Sequence, residues 1–417
     1  MTARTLIDLY AMTDDSIIDE QNSTIDKSNI SSINIPTDDS YQLPIHRQAN
    51  IIFTQTRDRC LRPIIASDVH PQSAIELFNN LTVNPPEATI PEGLSYMMFG
   101  RTPAENTYLQ PIISPLPGTH IPLLFISGFN TYDLADRLTD FYQEYIRLQA
   151  YNLNRQRGEN VSPDRVWSSN RYKKILMKWL TMAIELYRVD YPHGRLDMDD
   201  LPMKRAVMEA MYNHKIHVSQ YRITWVMSII NYFRQFTKIE TMLDPFSGWG
   251  DRLIGAIKMG VSYEGYDPNI KLQPGYKAMI EQLVPLVNGD QSQYSITPVG
   301  FEDAIFRRVS YDLILTSPPY GPVEIYDEGN PNQSIEKYKK VDDWFNYFYF
   351  PALDKAWRGL RSGGLLILQI GDTRTFKMVE KTIIHFRGIT DCVEWGQFLT
   401  LAQLGKYPNL HLVYQRR

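Results

Sequence analysis

Residues 243–255 read LDPFSGWGDRLIG, preceded by IETM at 239–242. An apolar run closes on an acid, a glycine-rich turn follows, and apolar spacing of three and four resumes at RLIGAIKM. This is a strand that turns directly into a helix. Downstream the same alternation repeats: SYEGYD, YKAMIEQLVPLV, YDLILT, WFNYFYFPALDKAWRGL and GGLLILQIGD. Strand and helix patterns in alternation predict a doubly wound, Rossmann-like α/β sheet. WFNYFYFP (344–351) reads as a helix whose aromatics pack on that sheet.

In such sheets ligands bind at the carboxyl ends of the strands. Here the first strand ends on Asp244, with Gly248 and Gly250 letting backbone approach a ligand closely. The turn is not a dinucleotide fingerprint, because counting from Gly248 the third glycine is replaced by Leu253. Asp267, closing YEGYD, stands where an acid grips a ribose diol. A nucleoside without phosphates fits both features, and S-adenosylmethionine (SAM) is such a ligand.

YDLIL (311–315) runs into TSPPYG (316–321). Two prolines cannot donate to a sheet, so the strand stops there on a stiff corner rich in carbonyls. Acceptors aimed at the hydrogens of an aromatic amino group turn its lone pair toward an incoming methyl. The Ser317 hydroxyl and Pro318 carbonyl are such acceptors, held by the Pro318–Pro319 rigidity, and Tyr320 can stack on an extruded base.

DPFSGWGDR, an acid-ended second strand and DLILTSPPY together resemble the motif series of SAM-dependent DNA amino-methyltransferases, of the N6-adenine and N4-cytosine type. The longer series through GPVEIYDEGNPNQSIEKYKKVDDWFNYFYFP is similar to methylases of phages and large DNA viruses. The resemblance covers residues 210–417. It implies a methyltransferase domain, SAM as donor, and a nucleic-acid amino group, in DNA before RNA, as acceptor. It assigns Asp244, Phe246, Gly248, Gly250 and Asp267 to the cofactor and Thr316 to Tyr320 to catalysis. Asp303 matches the acid at the adenine amino group of SAM, with Glu302 one position away as the alternative, and Lys215 or Ser219 in HKIHVSQYR matches the segment holding the methionine carboxylate. Gly321 departs from the aromatic common after the tyrosine, which leaves Tyr326 as a candidate second stacking partner. The loop 321–340, with hinges at Gly321 and Gly329, is a candidate lid over the base. Direct transfer needs no covalent intermediate, and the released proton is expected to leave to solvent. An RNA amino-methyltransferase and a catalytically inactive binding protein of the same fold remain the alternatives.

The rest of the chain bounds this reading. Residues 1–50 carry eight acids against Arg4, Lys27 and Arg47 in a Ser/Asn-rich context, which predicts a flexible acidic tail. Residues 51–210 are assigned to a helix-rich N-terminal domain that positions substrate, and 211–417 to the methyltransferase domain. Between 150 and 240, Arg155, Arg157, Arg165, Arg171, Lys173, Lys174, Lys178, Lys204, Arg205, Lys215 and Arg222 interleave with Trp and Tyr. They form either a phosphate-contacting face or ordinary solvated helix faces. The net charge of −4 argues against a dedicated electrostatic binder. Cys60 and Cys392 are too few for a disulfide framework, the eight histidines lack metal-ligand spacing, and no apolar stretch is long enough to span a bilayer. No metal, no membrane and an intracellular, soluble protein are therefore expected.

Overall fold

The computed structural model describes residues 43–58, 71–83, 124–127, 138–153, 160–194, 196–198, 201–213, 218–305, 311–372, 376–401 and 409–417. Residues 1–42 of the expected tail lie outside this set, as do Arg155, Arg157 and Lys215. The chain falls into two compact units. The first contains the helices Ile45–Asp58, Pro163–Ser168, Lys173–Asp190 and Leu201–Asn213. The second contains everything from Val218 onward, joined by the helices Pro71–Asn79 and Leu138–Arg147 and two short strands.

In the first unit Lys173–Asp190 is the central helix, because Leu176, Trp179, Leu180, Ala183 and Ile184 recur at three and four and are all buried. The helix Pro163–Ser168 starts where Ser162 caps it, its Oγ accepting from the Arg165 amide at 3.3 Å. Arg171, Lys174 and Lys178 are exposed, Lys173 lies over the Phe53 ring at 4.9 Å, and Lys204 is buried.

The strands are β1 (Leu124–Ser127), β2 (Tyr151–Asn152), β3 (Thr241–Asp244), β4 (Ser262–Tyr266), β5 (Tyr294–Thr297), β6 (Tyr311–Thr316), β7 (Glu324–Ile325), β8 (Leu360–Ile370), β9 (Cys392–Leu401) and β10 (Asn409–Arg416). Eight of them form one sheet in the order β1-β9-β10-β8-β6-β3-β4-β5, and β2 pairs with β7 in a small ribbon. Within the sheet only the pairings of β10, with β8 and β9, are antiparallel. From β3 the chain winds outward through β4 and β5, then returns to β6 and continues to β8 on the other side. This is a doubly wound, Rossmann-like sheet, and its order reverses between β3 and β6, where a crevice opens.

Every residue of β6 is buried, as a strand covered on both faces requires. Alternation divides its side chains: Leu313 and Leu315 join the core beneath the helix Ile223–Phe233, while Ile314 faces Leu353 and Ala356 on the opposite side. WFNYFYFP forms the expected helical cover, with Trp344, Phe345, Phe348 and Tyr349 buried. It differs from a plain helix in widening to a π-turn over Phe345–Tyr349, where the Phe350 amide donates to the Phe345 carbonyl. Pro351 supplies the reason, since it has no N–H with which to continue the ordinary ladder.

Two carboxylates tie β3 to β6 at opposite ends. At the amino end, Asp312 accepts from the Glu240 and Thr241 amides at 2.8 and 2.9 Å and from Arg361 Nε at 2.5 Å. These donors hold its pKa below the ordinary carboxylate value against the opposing effect of burial. At the carboxyl end, the Thr316 hydroxyl donates to Asp244 at 2.7 Å.

Candidate active site

At the carboxyl ends of β3, β4 and β6 lies a cleft of about 460 Å³, within the roughly 300–1,000 Å³ usual for small-molecule sites. Its first wall is the turn after β3. Gly248 and Gly250 adopt φ of +59° and +99°, left-handed conformations that side chains other than glycine rarely take. The Gly248 amide thereby points at Asp267 Oδ2, 3.1 Å away, while Oδ1 accepts from the Asn269 amide at 2.8 Å. Asp267 lines the cleft, and burial pushes its carboxyl up to about 7 although both amides pull it down. Phe246 also lines the cleft, its ring 5.6 Å from that of Phe348. Gly250 stands behind the wall, where a Cβ would come within 2.8 Å of Met279 Sδ.

Asp244 is fully buried beneath the cleft and does not line it. Its carboxylate accepts from Arg252 Nε at 2.6 Å, the Tyr263 hydroxyl at 2.8 Å and Thr316, and from the Phe246 amide at 3.3 Å. Both oxygens are therefore engaged by the protein, so Asp244 holds up the wall instead of meeting a ligand. Arg252, which the sequence reading did not single out, does line the cleft. Burial disfavours its charge, but Asp244 overcomes this and raises the pKa further. Its guanidinium sits 5.1 Å from the Tyr221 ring centroid, and Ser219, which is exposed, lines the same cleft.

Of the two adjacent acids after β5, Glu302 lines the cleft and Asp303 does not. The Asp303 side chain is 54% exposed and paired with Lys337, which also contacts Glu302 Oε1 at 3.0 Å. Glu302 Oε2 is buried and has no hydrogen-bond partner among the described residues. The turn after Gly300 aims the first acid inward and the second outward, a one-position distinction that residue type cannot reveal.

The second wall is the corner after β6. Ser317, Pro318, Pro319 and Tyr320 all line the cleft, whereas Thr316 is buried beneath them against Asp244. Gly321 takes φ +51°, and a Cβ there would meet the Phe376 ring at 2.6 Å, so packing leaves no room for an aromatic at this position. Tyr326 lines the cleft, its ring 6.2 Å from Trp249. Its hydroxyl donates to Glu324, another lining residue outside the sequence reading. The loop 321–340 is tied down as a wall: Asp327 pairs with Lys271 at 2.6 Å, Gln333 accepts from the Tyr326 amide at 3.0 Å, and Ser334 accepts from Trp344 Nε1 at 3.1 Å. Among the described residues no group of three His, Cys, Asp or Glu is arranged to hold a metal, and no helix is long and apolar enough to cross a membrane.

No family model matches the chain, and no curated protein matches it. Solved structures similar to it include a putative rRNA-methylase from Clostridium thermocellum, at 16% identity over 45% of this chain and 94% of that one, with a TM-score of 0.31. TrmN from Thermus thermophilus is similar at 14% identity over 52% and 67%, TM-score 0.33. A third is the Burkholderia thailandensis 1,6-didemethyltoxoflavin-N1-methyltransferase with bound S-adenosylhomocysteine, at 10% identity over 46% and 77%, TM-score 0.33. At such scores these likenesses add nothing to the strand order above.

Proposed function

We propose that this protein transfers a methyl group from SAM to the exocyclic amino group of cytosine (N4) or adenine (N6) in DNA. One observation carries the reading: an acid suited to a ribose and a Ser-Pro-Pro-Tyr corner suited to an aromatic amino group open into one cleft at the switch point of the sheet.

The lining groups fit SAM along its length. Asp267 keeps acceptor capacity for ribose hydroxyls, the unpartnered Oε2 of Glu302 suits an adenine amino group, and Arg252 with Ser219 supplies positive charge and a donor for the methionine carboxylate. When bound, SAM supplies an electrophilic methyl carbon on a sulfonium. Ser317 and the Pro318 carbonyl accept from the target amino group and fix its approach, and Tyr320 stacks on the base. Burial pushes the Tyr320 hydroxyl up to about 12, helped by the charge of Glu324, so it stays neutral. The Cys392 thiol is likewise pushed up to about 12 by burial, which suits direct transfer over thiolate chemistry. In the first unit, exposed Arg171, Lys174 and Lys178 are available to phosphates.

The test is nucleoside mass spectrometry of DNA and RNA from cells expressing the wild type beside Tyr320→Ala. N4-methylcytosine or N6-methyladenine in DNA, absent from the control, is the expected result. The same mark confined to RNA would overturn the choice of DNA, and no mark in either would overturn the activity.

A further inference from the structure

Methylation of an amino group leaves a nitrogen with one proton too many, and nothing in the Ser-Pro-Pro-Tyr corner can accept it. A serine hydroxyl and a proline carbonyl are far too weakly basic, and the Tyr320 hydroxyl stays protonated. Among the described residues six carboxylates line the cleft, and five are either held by protein donors or assigned above to the cofactor. Asp251 accepts from the Thr139 hydroxyl at 2.6 Å, Asp267 from two amides, and Asp372 from the Met378 and Val379 amides at 2.7 and 3.0 Å. Glu302 is paired with Lys337 and Asp327 with Lys271.

Glu324 is the sixth. It is 8% exposed, and its Oε2 accepts from the Tyr326 hydroxyl. Its Oε1 has no hydrogen-bond partner among the described residues, and no cation is paired with the carboxylate. Its backbone is held in place, because β7 is pinned to β2 through Asn152 and the Val323 carbonyl accepts from the Leu153 amide at 2.7 Å. It sits against the corner, since its charge acts on Tyr320, and the Tyr320 amide faces the same Tyr326 hydroxyl that holds the carboxylate.

We propose that the Glu324 carboxylate is the proton acceptor of the transfer, and so a catalytic residue that touches the target amino group. The inference rests on the base-amino reading above. The nitrogen lone pair forms the bond to the methyl carbon, the carbon–sulfur bond breaks with its electron pair left on sulfur, and one proton passes from nitrogen to Glu324. The neutral carboxylic acid then returns that proton to water after product leaves. Burial, opposed by the bond from Tyr326, pushes this carboxyl up to about 7, which makes it a stronger base than an exposed glutamate while leaving it half ionised at neutral pH. The ionisable groups around it are Tyr326 just past β7, Tyr320 on the corner with Arg252 acting on that tyrosine, and Tyr151 on β2, whose hydroxyl donates to Glu328.

The test compares full-length wild type, Glu324→Gln and Glu324→Asp in single turnovers on DNA across pH 5.5–9 at saturating SAM, which removes any contribution from cofactor affinity. SAM calorimetry accompanies each variant and reports folding independently of turnover. The wild-type rate is expected to fall tenfold per pH unit below about 7. Glu324→Gln should lose about 100-fold at pH 7.5 and lack that acid limb, and Glu324→Asp should keep the limb at a reduced rate, all with SAM affinity within threefold of wild type. In the Asp267→Asn background, the infrared carboxyl band titrating near pH 7 should vanish on adding Glu324→Gln. A Glu324→Gln enzyme with wild-type rate and pH profile overturns this inference alone. A wild type that binds SAM but methylates no base amino group overturns the function reading and this inference with it.

Discussion

Asp244 and Asp267 terminate comparable stretches, β3 and the segment just past β4, on adjacent parallel strands. One disappears under the cleft with four protein donors around it; the other faces the cleft with two backbone donors. The difference lies in long-range partners. Arg252 arrives from the following helix, Tyr263 from β4 and Thr316 from β6, and together they draw the first carboxylate inward. Among the described residues no cation is bonded to Asp267. An acid at a strand end is thus a binding group only where the surrounding fold leaves its oxygens available.

The largest effect that would break this comparison is on stability. Asp244→Ala strands the Arg252 guanidinium, 5% exposed, without its counter-charge, and removal of one partner of a buried pair costs about 3–5 kcal/mol. Urea unfolding should register that loss, whereas Asp267→Ala should unfold within about 1 kcal/mol of wild type. Equal destabilisation by the two substitutions would erase the distinction. A smaller effect separates the two walls: Tyr320→Ala and Pro318→Ala should each lower turnover about 100-fold, with SAM affinity by calorimetry within threefold. Asp267→Ala should weaken SAM by about tenfold or more, because charge-assisted hydrogen bonds of about 1.5–3 kcal/mol are lost. The smallest effect is a pH dependence. Ribose hydroxyls donating to Asp267 favour its ionised form, so its pKa in the complex lies below the value of about 7 in the empty cleft. Affinity should then be full above pH 7 and fall by up to tenfold per unit as pH drops through it. Asp267→Asn should flatten this profile.

What was legible in the sequence was local. The continuous apolar run of YDLILT, the prolines that end it and the glycines after β3 each constrain their own backbone, and they mark the two walls of the crevice. The helical cover over WFNYFYFP was legible from spacing, but its π-turn depends on how Pro351 interrupts the ladder. The use of β1 at the sheet's edge, which pairs Leu124 with Phe398, carries no short signal, and neither does the insertion of β10 between β8 and β9. Within the site, Asp303 and Glu302 differ only in which way a tight turn points them. Glu324 lies in a polar loop and stands out only once β2 buries it.

The double tie between β3 and β6, Asp312 below and Asp244 with Thr316 above, makes the gap between the two walls a fixed gauge. Under the proposed chemistry, the span from donor sulfur to acceptor nitrogen is then set by the spacing of adjacent strands and not by domain closure. A sulfonium analogue carrying a longer alkyl group meets a jaw that cannot widen there. Tolerance for it would have to be engineered in the loop 321–340, at the Lys271–Asp327 latch.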